Sequence, residues 1–231
     1  MWEKLEKEYS VKKGPYAKFV KRLLDVLIAG LGLIILSPLF LVLCILVRTK
    51  LGSPIFFKQK RAGKDEKIFE MIKFRTMTDK RDKNGELLPD TERFTKFGNF
   101  LRNSSLDEIP ELINVFKGDM SLIGPRPLYP FYVPYYTEKE SLRHSVRGGI
   151  TGLAQVNGRA LCKWNDRFAY DVQYVQNITF VNDFKIIFTT IAKVFKKSDI
   201  GVPSVTDEGG LHIVREVQRP EKFEQEEYKC Q

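Results

Sequence analysis

The chain has 231 residues, a formal net charge of +9, and is 43% hydrophobic and 29% charged; this composition excludes a wholly disordered chain and bounds the fold to one domain with appendages. The positive balance calls for an anionic partner: phospholipid, a phosphorylated substrate or nucleic acid. With His144 and His212 as the only histidines, and Cys44, Cys162 and Cys230 scattered, a disulfide framework is excluded, and zinc or histidine-based nucleophile chemistry fits poorly.

Residues 1–20 form an N-terminal segment. The first predicted element is the apolar run Val26–Val47, 22 residues without a charge. As one helix it would reach about 33 Å, enough for the ~30 Å core of a bilayer. No small-x-small cleavage site follows it, which argues against a signal peptide, and bulky Leu43 before Cys44 argues against a lipoprotein. Lys12, Lys13, Lys18, Lys21 and Arg22 precede the run; Arg48, Lys50, Lys58, Lys60, Arg61 and Lys64 follow it. Both flanks therefore prefer the same, cytoplasmic side. Pro38 lacks an N–H and clashes with the carbonyl of Ile34, and the Ser37 hydroxyl can satisfy that carbonyl. A membrane hairpin over 21–50 that turns at Ser37-Pro38 is preferred to a spanning helix. Asp25, three residues after Arg22, is spaced to pair with it.

The remaining domain is 51–199, on the cytoplasmic face that the flanks prefer. Pro54–Lys60 and Lys67–Met77 read as strands of a small hairpin around "RAGKDE", and 79–92, with Asn-Gly and Pro, as a mobile loop. Helical patterning runs to Val115, with Ser104, Ser105 and Asp107 as candidate caps. "LYPFYVPYY" (128–136) suits a membrane boundary or a hydrophobic core equally. Residues 182–197 form an amphipathic helix with Phe184, Ile187, Phe188, Ile191, Val194 and Phe195 on one stripe and Lys185, Lys193, Lys196 and Lys197 off it. Core packing is the commoner use of such a stripe; basic residues beside it also suit an interfacial helix on anionic lipid. The tail, 200–231, is charged and aperiodic and receives no chemistry.

The densest group of chemically capable residues is "LRNSSLDEIPELINVFKGDMSLIGPRP" (101–127). Asp107 reads most simply as an N-cap, with Pro110 at the third helical position and Glu108 complementing the helix dipole. The sharper alternative makes Asp107 a nucleophile or magnesium ligand at a helix start. Lys73, Arg75, Arg102 and Arg126 would then supply cations for a diphosphate. Neither a P-loop nor G-x-G-x-x-G is present.

"KRLLD", the "SP" break, "KFRTM", "LDEIPELINVFKGDMSLIGPRP" and "GITGLAQVNGR" occur in this order in bacterial sugar transferases. The chain resembles their small monotopic polyprenol-phosphate phosphoglycosyl transferases over residues 21–197. The resemblance implies an α+β, mostly helical monotopic membrane protein with a re-entrant helix–break–helix, a small β-hairpin and interfacial amphipathic helices. It implies transfer of a sugar 1-phosphate from a UDP-sugar to undecaprenyl phosphate, with release of UMP, at the cytoplasmic face of the bacterial inner membrane. The family's catalytic dyad maps onto Asp107-Glu108: Asp107 as nucleophile and magnesium ligand, Glu108 assisting the second step, Mg2+ neutralising the diphosphate. Lys73, Arg75, Arg102, Arg126 and Gln155 map onto substrate-binding positions. Glu66 stands where glycine is expected, Leu153 where Trp is usual and Ala160 where Asn is common. The short segment before residue 21 implies the minimal catalytic form. A catalytically silent membrane scaffold recruiting downstream glycosyltransferases is the alternative reading; a nucleic-acid-binding domain lacks any motif.

Overall fold

The computed structural model describes residues 2–9, 11, 13–158, 163–196, 210–223, 225 and 228. Helix α1 (Trp2–Glu8) and a π-helical turn (Tyr16–Val20) lead into α2 (Lys21–Ile35) and α3 (Ser37–Lys50). Strands β1 (Phe56–Ala62) and β2 (Ile68–Phe74) follow, then α4 (Asp90–Arg93), α5 (Lys96–Asn103) and α6 (Glu111–Lys117). Next come β3 (Met120–Ile123), α7 (Glu138–Ser141), β4 (Gly148–Thr151), α8 (Leu153–Asn157), α9 (Trp164–Gln176) and α10 (Phe180–Lys196). Two short helices, α11 (Leu211–Val214) and α12 (Pro220–Phe223), close the described chain. The mostly helical content with small sheets is the expected α+β class.

The break falls where the sequence places it. Segments Tyr16–Ile35 and Ser37–Lys50 meet at a bend of 64°, and Ser37 Oγ donates to the Ile34 carbonyl at 2.7 Å, the acceptor that Pro38 leaves unpaired. Among the described residues no single helix is long and apolar enough to cross a membrane, while this bent pair is. Both arms of the bent pair pack against one folded body. On α2, Asp25 Oδ1 accepts from Leu122 N at 3.0 Å, and Gly30 and Gly32 lie against Phe116 and Leu112 of α6. On α3, Leu43 and Val47 join Leu51, Phe74 and Leu101 in a buried cluster. Around the bend Leu31, Ile34, Ile35, Leu39, Leu41 and Val42 are exposed. The expected Arg22–Asp25 pair does not form. Arg22 instead donates to the carbonyls of Val115 and Phe116, the unsatisfied acceptors at the end of α6, which outcompete a carboxylate on its own helix.

The hairpin is confirmed: β1 and β2 pair antiparallel from Phe56↔Phe74 to Ala62↔Ile68. The charged loop after it is exposed but carries an Arg81↔Leu87 bridge around Asn84-Gly85. Strands β3 and β4 form a separate parallel pair. The aromatic run resolves as core: Tyr132, Val133 and Tyr136 are buried with Trp164, Phe168 and Leu211. The stripe of α10 resolves the other way. Ile187 packs inward, but Phe184, Phe188 and Ile191 are exposed beside Phe180 and Val181; the side chains of Val194 and Phe195 lie outside the described residues, as does Lys197.

The tail carries contacts that sequence reading did not assign. Glu66 is buried in the left-handed region at φ 61°, which explains why glycine is the natural choice there. Its carboxylate pairs with Arg219 at 2.5 Å and Lys222 at 3.0 Å, and its carbonyl accepts from Tyr228 Oη at 3.2 Å. Burial alone would raise the Glu66 pKa; the Arg219 fork and Lys222 outweigh it and hold the carboxyl below its ordinary 4.5. Arg219→Ala is expected to cost about 3 kcal/mol in denaturant melts. Because the folded pKa is depressed, this contribution is complete above pH ~4.5 and disappears as pH falls through the folded value. A variant as stable as wild type at pH 7 would rule the clamp out.

Candidate active site

Helix α5 begins at Thr95, whose side chain accepts from Gly98 N, and passes so close beneath the strand exit that a Cβ on Gly98 would lie 1.9 Å from the Thr76 carbonyl. The chain then reverses at Ser105, held at φ 55°, into a 3-10 turn of Leu106–Glu108 that ends against Pro110. Helix α6 is preceded by Pro110 and has no side-chain cap. The N-cap reading of Asp107 is therefore wrong: residues 106–108 already form a turn of their own, so Asp107 does not flank a helix start.

Asn114, one turn beyond Glu111, docks α6 against β2. Its Oδ1 accepts from Ile72 N at 3.0 Å and its Nδ2 donates to the Glu70 carbonyl at 2.8 Å, imitating a neighbouring strand. Lys73, next along β2, is thereby brought to Glu108 and Glu111. Its Nζ lies 2.8 Å from Glu108 Oε1 and 3.3 Å from Glu111 Oε1. Arg126 approaches the same acceptors, at 2.5 Å from Glu108 and 3.2 Å from Glu111. Nη1 of Arg126 also donates to the Ile150 carbonyl at 2.8 Å, which Gln155 Nε2 reaches at 2.9 Å. Behind this loop the buried pair Arg143–Asp171 is fixed at 2.9 Å, and Arg143 Nη2 donates to the Arg126 carbonyl at 2.7 Å.

Two cations thus meet two carboxylates, Glu108 and Glu111, and their charges cancel. Asp107 stands apart. It is 8% exposed, and among the described residues its carboxylate has no hydrogen-bond or ion-pair partner. Burial pushes its pKa up to about 6; Lys73 pulls it down, while Glu108 and Glu111 push it further up. For Glu108 the opposite balance holds: burial raises it, but Arg126 and Lys73 overcome that and keep it ionised well below the usual carboxylate range. Glu111, completely buried, is displaced upward mainly by desolvation. Arg126 is held firmly protonated: the surrounding carboxylates outweigh its burial.

Of the residues singled out in the sequence, Lys73, Glu108, Arg126 and Gln155 are joined by these contacts. Arg75 and Arg102 take other partners. Arg75 pairs with Asp79 at 2.7 Å; Arg102 donates to Thr76 Oγ1 at 2.8 Å and lies over the Phe94 ring at 4.6 Å. Glu111 and Asn114 were missed, although Glu111 follows Glu108 at a spacing of three, which helical geometry places on one face.

Among the described residues no cluster of three His, Cys, Asp or Glu is arranged to hold a metal. Magnesium needs no such cage: it keeps waters and substrate phosphate oxygens and takes one or two carboxylates from the protein. The unpartnered, hard oxygen donors of Asp107 fit that demand, whereas Glu108 and Glu111 are already engaged by cations.

The family model described as bacterial sugar transferase matches residues 16–197. Over 181 residues, 78% of this chain and 90% of the relative, the chain is 50% identical to the uncharacterized sugar transferase EpsL of Bacillus subtilis. It is 41% identical over 185 residues to the UDP-glucose:undecaprenyl-phosphate glucose-1-phosphate transferase of Klebsiella pneumoniae, covering 76% of this chain but 40% of that protein. It is 38% identical over 197 residues to the exopolysaccharide production protein ExoY of Sinorhizobium fredii, covering 78% of this chain and 87% of that protein. With the family match running from the bent helix pair through the dyad and Arg126 to α10, this chain belongs to the bacterial sugar transferase family.

Proposed function

We propose that this protein transfers a sugar 1-phosphate from a UDP-sugar to undecaprenyl phosphate, initiating assembly of an exopolysaccharide or related glycan. The observation that carries the reading is the unpartnered carboxylate of Asp107 beside a cation pair that Glu108 and Glu111 hold in place. An Asp107 oxygen attacks the β-phosphorus, the bond from that phosphorus to the bridging oxygen breaks, and UMP departs with the electron pair. The aspartyl phosphosugar is then attacked by a phosphate oxygen of undecaprenyl phosphate, and the Asp107 carboxylate is released. Glu108, kept ionised by Lys73 and Arg126, orients those cations toward the transferring phosphoryl oxygens. Magnesium, held by Asp107, would neutralise diphosphate charge when bound.

The membrane reading has its own support. A body cannot lie on both sides of a bilayer, and both arms of the bent pair end in one body. With a 64° bend, arms of about 22 Å placed symmetrically dip about 12 Å, less than half of the ~30 Å core. The basic flanks then sit together on the cytoplasmic face, with anionic lipid. The exposed Phe180, Phe184 and Phe188 of α10 suit the same interface.

The experiment is UMP release by purified protein in nanodiscs, with magnesium and undecaprenyl phosphate, across a panel of UDP-sugars. Release dependent on one sugar is expected and names the donor. Folded protein that releases no UMP with any sugar would favour the scaffold reading instead.

A further inference from the structure

Lys73 and Arg126 are each matched by carboxylates, so they enter the reaction already neutralised. Arg61 differs. In the hairpin, residues directly opposite share a face, and the register sets Arg61 opposite Phe69, Gln59 opposite Met71 and Phe57 opposite Lys73. Arg61 and Gln59 therefore project from the same side of the sheet as Lys73. The strand ends against the Arg126 loop, where Ala62 N donates to the Leu128 carbonyl at 3.1 Å. Ala62 and Gly63 line a small cavity together with Arg126 and Pro127.

The guanidinium of Arg61 is held by neutral groups. Its Cζ lies 3.8 Å above the Tyr129 ring, Nη2 donates to Gln59 Oε1, and Gln59 Nε2 reaches Tyr129 Oη at 3.2 Å. Tyr129 itself stacks on Phe131 with centroids 5.2 Å apart. Nε of Arg61 is buried without a hydrogen-bond partner, and among the described residues no carboxylate lies within ion-pair distance of this side chain. Burial and the nearby Arg126 charge lower its pKa, yet a guanidinium remains protonated. A fixed, planar, unmatched cation is a phosphate-binding device.

We propose that Arg61, clamped by Tyr129 and Gln59, binds the phosphate of the departing nucleotide, the α-phosphate of the UDP-sugar and of UMP. This rests on the transferase reading above. Its place follows from spacing: Arg61 sits four strand positions, about 13 Å, from the level of Lys73, so it approaches from the side of the Arg126 loop, beyond the reacting phosphorus. When the β-phosphorus to oxygen bond breaks, negative charge collects on the α-phosphate, and the unmatched cation is where that charge is stabilised.

The test is UMP binding by calorimetry to the full chain in nanodiscs, for wild type, Arg61→Gln and Arg61→Lys, with Lys58→Gln as a control on the opposite face. Thermal melts establish that each variant is folded. Arg61→Gln is expected to weaken UMP binding about 30-fold and Arg61→Lys about tenfold, since the point charge survives but the fork does not. Uridine, which lacks the phosphate, should bind all the proteins alike, and the KM for undecaprenyl phosphate should not change. Folded Arg61→Gln with wild-type UMP affinity overturns the assignment, as does an equal loss for uridine. If Arg61→Gln does not fold, wild-type affinity in Arg61→Lys does the same. A raised KM for undecaprenyl phosphate with unaltered UMP binding would move the cation to the acceptor and also overturn it. Wild type that binds UMP through Arg61 but releases none from any UDP-sugar would sink the transferase reading and keep the phosphate site.

Discussion

Asp107→Asn is expected to abolish UMP release and, at neutral pH, to make the protein more stable than wild type. The first effect follows from the proposed covalent step: an amide in place of the attacking carboxylate cannot form the acyl phosphate, and a fall of at least about 1,000-fold is expected. The second follows from linkage. Burial raises the Asp107 pKa from 3.8 to about 6, so the folded state resists its ionisation. Stability tied to this group is complete below pH ~4 and is lost as pH rises through about 6. A displacement of that size corresponds to about 3 kcal/mol, which the asparagine, unable to ionise, regains. Denaturant melts should therefore coincide for the two proteins near pH 4, diverge as pH rises from about 4 to about 6, and stay apart above that. Under the proposed mechanism protonation of the same group gives kcat/KM an acid limb in the wild type, with a slope of about tenfold per pH unit. Undiminished UMP release by Asp107→Asn would leave the transferase in place and remove the covalent intermediate. Equal stability at pH 7.5 would show that the carboxylate is better solvated than its burial implies.

What the sequence made legible was local, and what it hid depended on distant partners. The break at Ser37-Pro38 could be read down to the acceptor, Ile34, because proline's missing donor and the serine hydroxyl act within four residues. The hairpin was equally plain from its alternation. The aromatic run, which suited a boundary or a core equally, and the α10 stripe, which suited a core more readily, were not. Periodicity shows that a helix has an apolar face but not what covers that face: Tyr132 and Tyr136 found Trp164 and Phe168, whereas Phe184 and Phe188 stay exposed. The Arg22–Asp25 pairing failed because helical spacing permits a contact without ranking it against backbone groups on other elements. Glu66 was noticed as a departure from glycine, yet its partner Arg219 is 153 residues away, in a tail with no pattern of its own. In the candidate site, the motif singled out Lys73, Arg126, Asp107 and Glu108. Which of its carboxylates is free and which are bound by cations is a matter of packing between β2, α6 and the 126 loop.

That packing places Arg126 between two carboxylates, and Arg126→Met separates its structural duty from its proposed catalytic one. Structurally, the guanidinium spans Glu108 and Glu111 and ties them to the Ile150 carbonyl. Without it, Lys73 alone pairs with two carboxylates, one of them completely buried. Breaking a buried pair by removing one partner typically costs about 3–5 kcal/mol, and that loss is expected in melts at pH 7. It should shrink in acid, because Glu111 is already displaced upward by burial and protonation relieves the unpaired charge. The double variant Arg126→Met with Glu111→Gln removes that charge by substitution, so most of the stability should return. Activity should not. A cation placed on the transferring phosphoryl oxygens stabilises charge that develops in the transition state, and its loss costs on the order of 100- to 1,000-fold. The double variant therefore decides between a residue that only holds the fold and one that also acts on substrate: restored melting with UMP release still depressed assigns Arg126 both roles, whereas recovery of both together would reduce it to a strut for Glu108.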